Sequence, residues 1–98
     1  MSSPIARILH FSFETAEDLN LWVMKYETET SELAKEAIQR TLIKTDETSL
    51  VICNIYRNEE DADDVFERLS KWSGTVKAAR TWESFNLTGE VVFSEPKY

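Results

Sequence analysis

The first apolar run of the chain is IARILHFSF, residues 5–13. In an extended chain Leu9, Phe11 and Phe13 lie on one side, whereas Ile8 and His10 lie on the other. A short apolar run that contains β-branched and aromatic residues predicts a strand. Both sides of this strand carry apolar residues, so we expect it to be covered on both faces.

After Thr15 the apolar positions recur every three or four residues instead of every two. This spacing predicts a helix with one buried stripe, formed by Leu19, Trp22, Val23 and Tyr26. Thr15 occupies the N-cap position, and Asp18 follows three residues later as in a capping box. The run TETS from Thr28 is poor in helix formers and is expected to end the helix. Ser31 could cap a short second helical piece through LAKEA, and whether the two pieces join stays open.

Two further apolar runs, residues 38–44 and 49–57, are separated by the polar segment TDET and predict a hairpin. Asn58 then caps a second predicted helix, EEDADDVFERLSKWS, which Gly74 ends. Its apolar stripe repeats the spacing of the first helix: Ala62, Val65, Phe66, Leu69 and Trp72. The acidic first turns fit the start of a helix better than a calcium loop, because the EF-hand glycine and spacing are missing.

The run TWESFNLTGEVVF, residues 81–93, predicts a last strand, with Gly89 marking a bulge or bend. The order strand-helix-strand-strand-helix-strand predicts an α+β, ferredoxin-like domain over residues 1–98. We expect a four-stranded antiparallel sheet with both helices on one face. The third strand, like the first, is apolar on both sides, and two helices can cover only one face of a sheet. A second copy of the chain, in a homodimer formed through the sheet face, is the expected cover.

Charge and cysteine content restrict the partners and the compartment. Eighteen acidic and eleven basic residues give a net charge of −7, with no cluster of Lys and Arg that would neutralise phosphates. Nucleic acid and membrane are therefore not expected as partners. The single cysteine, Cys53, cannot form an internal disulfide, and no apolar run approaches the length of about 20 residues that a membrane span needs. A cytoplasmic location is the prediction.

Motifs for common cofactors are missing from the sequence. Only two glycines occur, Gly74 and Gly89, so no glycine-rich phosphate loop can form. No CxxC or HExxH motif is present, and we expect neither a metal site nor a bound cofactor.

The whole pattern resembles the dimeric α/β-barrel superfamily, and within it the antibiotic biosynthesis monooxygenase-like proteins. The likeness rests on the first strand ARILHFSFE, on the third strand LVICNIYRNEED leading into an acidic-capped helix, and on the closing strand WESFNLTGEVV. The resemblance implies two sheets packed across a dimer interface and a small cavity between the sheet and the helices of each subunit. It also implies activities such as cofactor-independent oxygenation of aromatic substrates.

Three polar residues occupy places that the resemblance associates with the cavity: His10 on the first strand, and Asn54 and Tyr56 on the third. They are the candidate catalytic residues, His10 for proton transfer and the other two for holding a phenolic or carbonyl oxygen. Structural roles in the core or interface remain open for all three. Heme degradation is not expected, because the heme-degrading subgroup uses a histidine of the second helix that this chain lacks.

The three tryptophans are the candidate substrate-binding residues. Trp22 and Trp72 lie on the helical apolar stripes, where a core role is the alternative, and Trp82 begins the last predicted strand. Two functions are compatible with these residues. One is a small dimeric monooxygenase acting on an aromatic or conjugated substrate; the other is a non-catalytic dimer that binds a small molecule or serves only as a structural module.

Overall fold

A computed structural model describes residues 4–76 and 80–95, with side chains at 4–76 and 87–95. The elements follow in the predicted order: β1 (Ile5–Phe13), α1 (Ala16–Glu29), β2 (Ala37–Asp46), β3 (Ser49–Tyr56), α2 (Glu59–Ser73) and β4 (Arg80–Glu90). The four strands form one sheet in the order β2-β3-β1-β4. Every pair of neighbours is antiparallel. This confirms the predicted ferredoxin-like α+β fold.

Side-chain caps begin both helices where the sequence predicts. The Thr15 hydroxyl accepts a hydrogen bond from the backbone N–H of Asp18 at 3.0 Å. The Asn58 side chain accepts one from the N–H of Asp61 at 2.8 Å. Each cap satisfies an amide that has no partner inside its helix and thereby sets the first turn.

The two apolar stripes pack against one face of the sheet. Leu19, Trp22 and Tyr26 of α1 are buried, and so are Ala62, Val65 and Trp72 of α2. The strand residues in the same core alternate along β1 and β3: Phe11, Phe13, Leu50 and Ile52. Ala62 and Val65 instead form a second buried cluster with Ala34 and Tyr56, and Leu69 packs against both clusters.

Several element boundaries differ from the sequence predictions. Helix α1 ends at Glu29, within the run that was predicted to end it. The second helical piece that Ser31 could cap is a series of turns, in which the amide of Ala34 donates to the carbonyl of Thr30. The last strand ends at Glu90, three residues earlier than predicted. Gly89 pairs in register with Ala6, and the irregularity in β1–β4 pairing lies between Leu9 and Phe11 instead. Tertiary pairing sets these boundaries, and local composition does not reveal it.

The opposite face of the sheet carries half-buried residues and no helix. Ile8 and His10 of β1 and Val51 and Cys53 of β3 alternate with the core residues and share this face. We call it the open face. Residues 77–79, between α2 and β4, lie outside the described residues. Neither described helix has the length and apolarity needed to cross a membrane.

Candidate functional site

A small cavity lies between the sheet and the two helices. Its volume is roughly 30 Å³, and its walls come from β1, β3, α1 and α2. Most of the wall is apolar or aromatic, with contributions from Leu9, Phe11, Ile52, Phe66 and Leu69. The cavity therefore occupies the position that the resemblance implies.

Asn54 and Tyr56 lie side by side on the cavity wall. Both are buried, at 3% and 2% exposure, because residues two apart on a strand share a face and this face meets the helices. The Asn54 side-chain amide donates a hydrogen bond to the Tyr56 hydroxyl at 3.2 Å. Burial raises the pKa of Tyr56, the bond from Asn54 being the main opposing effect. The phenol is thus kept protonated and can donate its own hydrogen to a third group.

Four buried polar atoms at this cavity lack a hydrogen-bond partner within the part of the chain that the structure describes. Three of them are donors or can donate, namely Arg7 Nε, Trp22 Nε1 and Tyr26 Oη, and the fourth is the acceptor Asn54 Oδ1. Buried polar groups in proteins are nearly always hydrogen-bonded, and leaving one unpaired costs about 1–3 kcal/mol. All four residues line the same cavity, so the groups without a partner lie close behind its apolar walls.

Arg7 brings a positive charge to the cavity. Its side chain is 16% exposed, and its terminal nitrogen Nη2 pairs with Asp63 of α2, which is 64% exposed. The Arg7 side chain therefore contacts the exposed Asp63 carboxylate and also forms part of the cavity wall. A half-solvated ion pair of this kind neutralises Arg7 only in part, since water screens the exposed carboxylate.

Aromatic rings form the helical side of the cavity. The Trp22 ring stacks on Tyr26 with centroids 5.0 Å apart, and Trp72 packs edge-on against Trp22 at 5.5 Å. Arg40 lies over the Tyr26 ring, its guanidinium carbon 4.5 Å from the centroid. Trp72 also donates its indole N–H to Glu29 at 3.1 Å. Trp22 and Trp72 are buried in the core and also line the cavity, so a core position and a place on the cavity wall are compatible for both residues.

The structure does not bring His10 to this cavity. Its neighbours Leu9 and Phe11 line the cavity, and alternation along β1 places His10 on the open face, opposite Val51 of β3. The backbone of Trp82 pairs with that of Phe11, and its side chain lies outside the described residues. Of the six candidate residues, the structure gathers four at the cavity: Asn54, Tyr56, Trp22 and Trp72.

Arg7 and Tyr26 are the site residues that the sequence prediction passed over. A signal for Arg7 exists, because it lies two residues before Leu9 on the same side of β1. Tyr26 belongs to the predicted stripe of α1, but its proximity to the third strand depends on how α1 crosses the sheet. Among the described residues, no group of three or more His, Cys, Asp or Glu side chains is placed to hold a metal ion.

Comparison with known proteins supports the fold at low sequence identity. No protein-family model and no curated protein sequence matches the chain. A protein from Nitrosomonas europaea, provisionally assigned as an antibiotic biosynthesis monooxygenase, matches 95% of this chain over 94% of its own length, with TM-score 0.71 and 14% identity. SnoaB, a cofactor-independent oxygenase from Streptomyces nogalater, matches 98% of this chain over its full length, with TM-score 0.66 and 11% identity.

A third solved structure is a dimeric ferredoxin-like protein from an uncultured marine organism. It matches 95% of this chain over 91% of its own length, with TM-score 0.66 and 16% identity. The chain has the fold of the antibiotic biosynthesis monooxygenase-like proteins. The predicted resemblance is confirmed, and at these identities it is a likeness of fold.

Proposed function

We propose that this protein is a small homodimeric monooxygenase of the cofactor-independent type, which binds an aromatic or conjugated substrate in the cavity between sheet and helices. The observation that carries the proposal is that four residues of one aromatic-walled cavity each carry a buried polar atom without a partner among the described residues. A flat ligand bearing oxygen atoms would pair with these groups while its ring packs against the tryptophan side chains of the cavity wall. The fold shared with SnoaB, a cofactor-independent oxygenase, supports the same chemistry.

Three polar side chains have distinct roles in this proposal. Asn54 and Tyr56 hold a carbonyl or phenolic oxygen of the substrate, since the Tyr56 hydroxyl still has a proton to donate. Arg7 stabilises the substrate in its ionised enolate or phenolate form, because its positive charge reaches the cavity wall. Trp22 and Trp72 contact the ring faces and exclude water.

The reaction needs no added reductant when the substrate supplies the electrons. A methylene group flanked by conjugated carbonyls reacts with dioxygen to give a ketone and water, R–CH2–R′ + O2 → R–CO–R′ + H2O. The carbon loses four electrons, and the two oxygen atoms accept two each. An ionised substrate is the electron donor, so stabilising that ion near Arg7 is the main task of the protein.

The cavity must enlarge before such a substrate fits. Its volume is roughly 30 Å³, whereas a cavity that binds benzene measures on the order of 150 Å³. Five wall residues belong to one segment of α2: Phe66, Leu69, Ser70, Trp72 and Ser73. Movement of α2 or rotation of the half-buried Phe66 side chain is therefore the expected opening step.

Binding and oxygen consumption can be tested separately with a panel of phenols, naphthols and anthrones. Binding is followed by quenching of tryptophan fluorescence, because two of the three tryptophans line the cavity. Oxygen uptake is followed with an electrode, and the product by mass spectrometry for the gain of one oxygen and loss of two hydrogens. Asn54→Ala and Tyr56→Phe should weaken quenching and uptake, whereas Asp64→Asn, a change at an exposed position of α2, should affect neither. If no panel member quenches the fluorescence, the proposal fails.

A non-catalytic binding module is the second candidate, and one observation favours it. No carboxylate or imidazole belongs to the described lining of the cavity, so no conventional base is placed to remove a substrate proton. Saturable quenching without oxygen uptake by any panel member would support this second function and exclude the monooxygenase.

The homodimer is proposed to form through the open face. Ile8, Val51 and Cys53 expose part of their apolar surface there, and the helices cover only the other face. One structurally similar protein is a dimeric ferredoxin-like protein, which supports this arrangement.

A further inference from the structure

We infer that Phe93, on the segment after β4, docks into a surface groove of a second copy of the chain. The segment Val91–Glu95, called here the C-terminal arm, continues beyond the edge strand β4. The groove lies between α1 and β2, on the side of the sheet that the helices cover. The inference rests on the proposed dimer and adds a second, separate contact to it.

The arm presents apolar side chains to solvent. Val92 is 90% exposed and Phe93 is 76% exposed, the two largest values among the exposed large hydrophobic residues of the described chain. The base of the arm is ordered against β1, because the amide of Val91 donates to the carbonyl of Pro4 at 2.8 Å. Two adjacent apolar side chains on a short projecting segment are typical of a contact with another chain.

The groove offers a complementary apolar site. Its volume is about 200 Å³, and its walls are formed by Leu19, Asn20, Val23, Glu27, Leu42, Lys44 and Leu50. A cavity on the order of 150 Å³ accommodates a benzene ring, so the groove has room for the side chain of a phenylalanine. Leucine and valine side chains on its walls would remove the ring from water, which is favourable by the hydrophobic effect.

The arm cannot fill the groove of its own chain. Glu90 pairs with Ile5, which pairs with Tyr56, which in turn pairs with Ala37, so the arm leaves the sheet level with the first residue of β2. The groove lies at Lys44, seven residues further along β2 and three strands across. These separations are about 23 Å along the strands and about 14 Å across them.

Phe93 lies three residues beyond Glu90 and reaches only about 10 Å. A second copy is therefore the occupant that can supply this side chain. The groove wall carries one residue of each sign, Lys44 and Glu27, so its apolar side chains and not its charge favour the phenylalanine ring.

Disulfide trapping between two differently tagged chains tests the contact directly. Both chains carry Cys53→Ser to remove the native thiol; one also carries Phe93→Cys and the other Val23→Cys, at the groove wall. Mild oxidation of the mixture should give the mixed disulfide, identified by mass. Met24→Cys is the matched control, because Met24 is the next residue of α1, is 53% exposed and does not line the groove. It should give little mixed product.

The second measurement is the dimer dissociation constant, obtained by sedimentation with the fold checked by circular dichroism. Phe93→Asp should raise this constant by about a hundredfold, because each dimer loses two buried aromatic contacts, and Met24→Asp should leave it unchanged. The docking of the arm is overturned if the wild-type protein is a dimer, the Phe93→Cys and Val23→Cys chains give no mixed disulfide, and Phe93→Asp leaves the dissociation constant unchanged. The open-face interface would still stand in that case. A monomeric wild-type protein overturns both.

Discussion

The Asn54 side-chain amide donates a hydrogen bond to the Tyr56 hydroxyl, two residues further along β3, while the Asn54 carbonyl oxygen has no partner in the described structure. The bond holds both side chains in one orientation toward the cavity. It also leaves one acceptor, on Asn54, and one hydroxyl proton, on Tyr56, for a ligand. The pair therefore forms the best-defined polar element of the candidate site.

Alkaline pH should destabilise the protein through Tyr56. Burial raises the pKa of this phenol in the folded chain above the value near 10 that it has when unfolded. Its contribution to stability is fully present below about pH 10, and it is lost as the pH rises from there through the folded pKa, because the unfolded chain releases its proton first. Tyr56→Phe should therefore lose less unfolding free energy between about pH 9 and pH 11, measured by urea denaturation. Equal losses in both proteins would contradict this prediction.

The bond from Trp72 to Glu29 should be visible in the titration of the carboxyl group. The Trp72 indole N–H is the largest influence that holds the pKa of Glu29 below its usual 4.5. The ionised Glu29 carboxylate therefore stabilises the folded chain above about pH 4.5, and this contribution is lost as the pH falls through the lowered pKa. In Trp72→Phe the Glu29 pKa should move back toward 4.5 in a carbon-detected NMR titration. Lys25→Met should also move it toward 4.5, because the hydrogen bond and the charge of Lys25 each lower the Glu29 pKa. An unchanged Glu29 pKa in Trp72→Phe would refute the assignment.

Leu19 should be one of the most sensitive positions of the core. It is 1% exposed on α1, whereas Met24 of the same helix is 53% exposed. Leu19→Ala should lower the free energy of unfolding by about 2–5 kcal/mol, because buried methyl groups are lost and a cavity remains. Met24→Ala should change it by less than about 0.5 kcal/mol. Urea denaturation of both variants measures this contrast, and similar losses would mean that the α1 stripe is not packed as described.

A charge on the open face should break the proposed dimer. Val51 lies on this face in the middle of the sheet, between β1 and β2. Val51→Asp would bury a carboxylate in an apolar interface, and this desolvation costs several kcal/mol. The cost can exceed the attraction of the one imidazole nearby, that of His10, which lies opposite Val51 on β1. Light scattering after size exclusion should show a monomer for this variant and a dimer for the wild type. Ser31→Asp adds the same charge at an exposed turn, so it should leave the dimer intact; a Val51→Asp dimer would place the interface elsewhere.

Local sequence signals predicted the elements well where one physical requirement dominates. Thr15 and Asn58 each supply the side-chain oxygen that a helix start needs, and both caps are confirmed. Of the predicted α2 stripe, Ala62, Val65 and Trp72 are buried, and Phe66 and Leu69 are half-buried. The end of β4 was predicted three residues too late, because that boundary depends on pairing with distant residues.

The candidate site was predicted only in part for the same reason. Asn54 and Tyr56 share a strand face, and alternation alone places them together. Neither helical packing nor strand pairing is visible in local spacing, so Arg7 and Tyr26 were passed over, and His10 was grouped with residues from which a whole sheet separates it.

The sequence by itself determined the order of the elements, the helix caps, the two helical stripes and the presence of apolar residues on both faces of β1 and β3. These properties depend on residues within a few positions of one another, where backbone geometry leaves little choice. Only the tertiary structure decided which face the helices cover, which polar atoms meet at the cavity and how far the C-terminal arm lies from its own groove. Those relationships join residues far apart in the chain, and the register of the sheet and the packing of the helices set them.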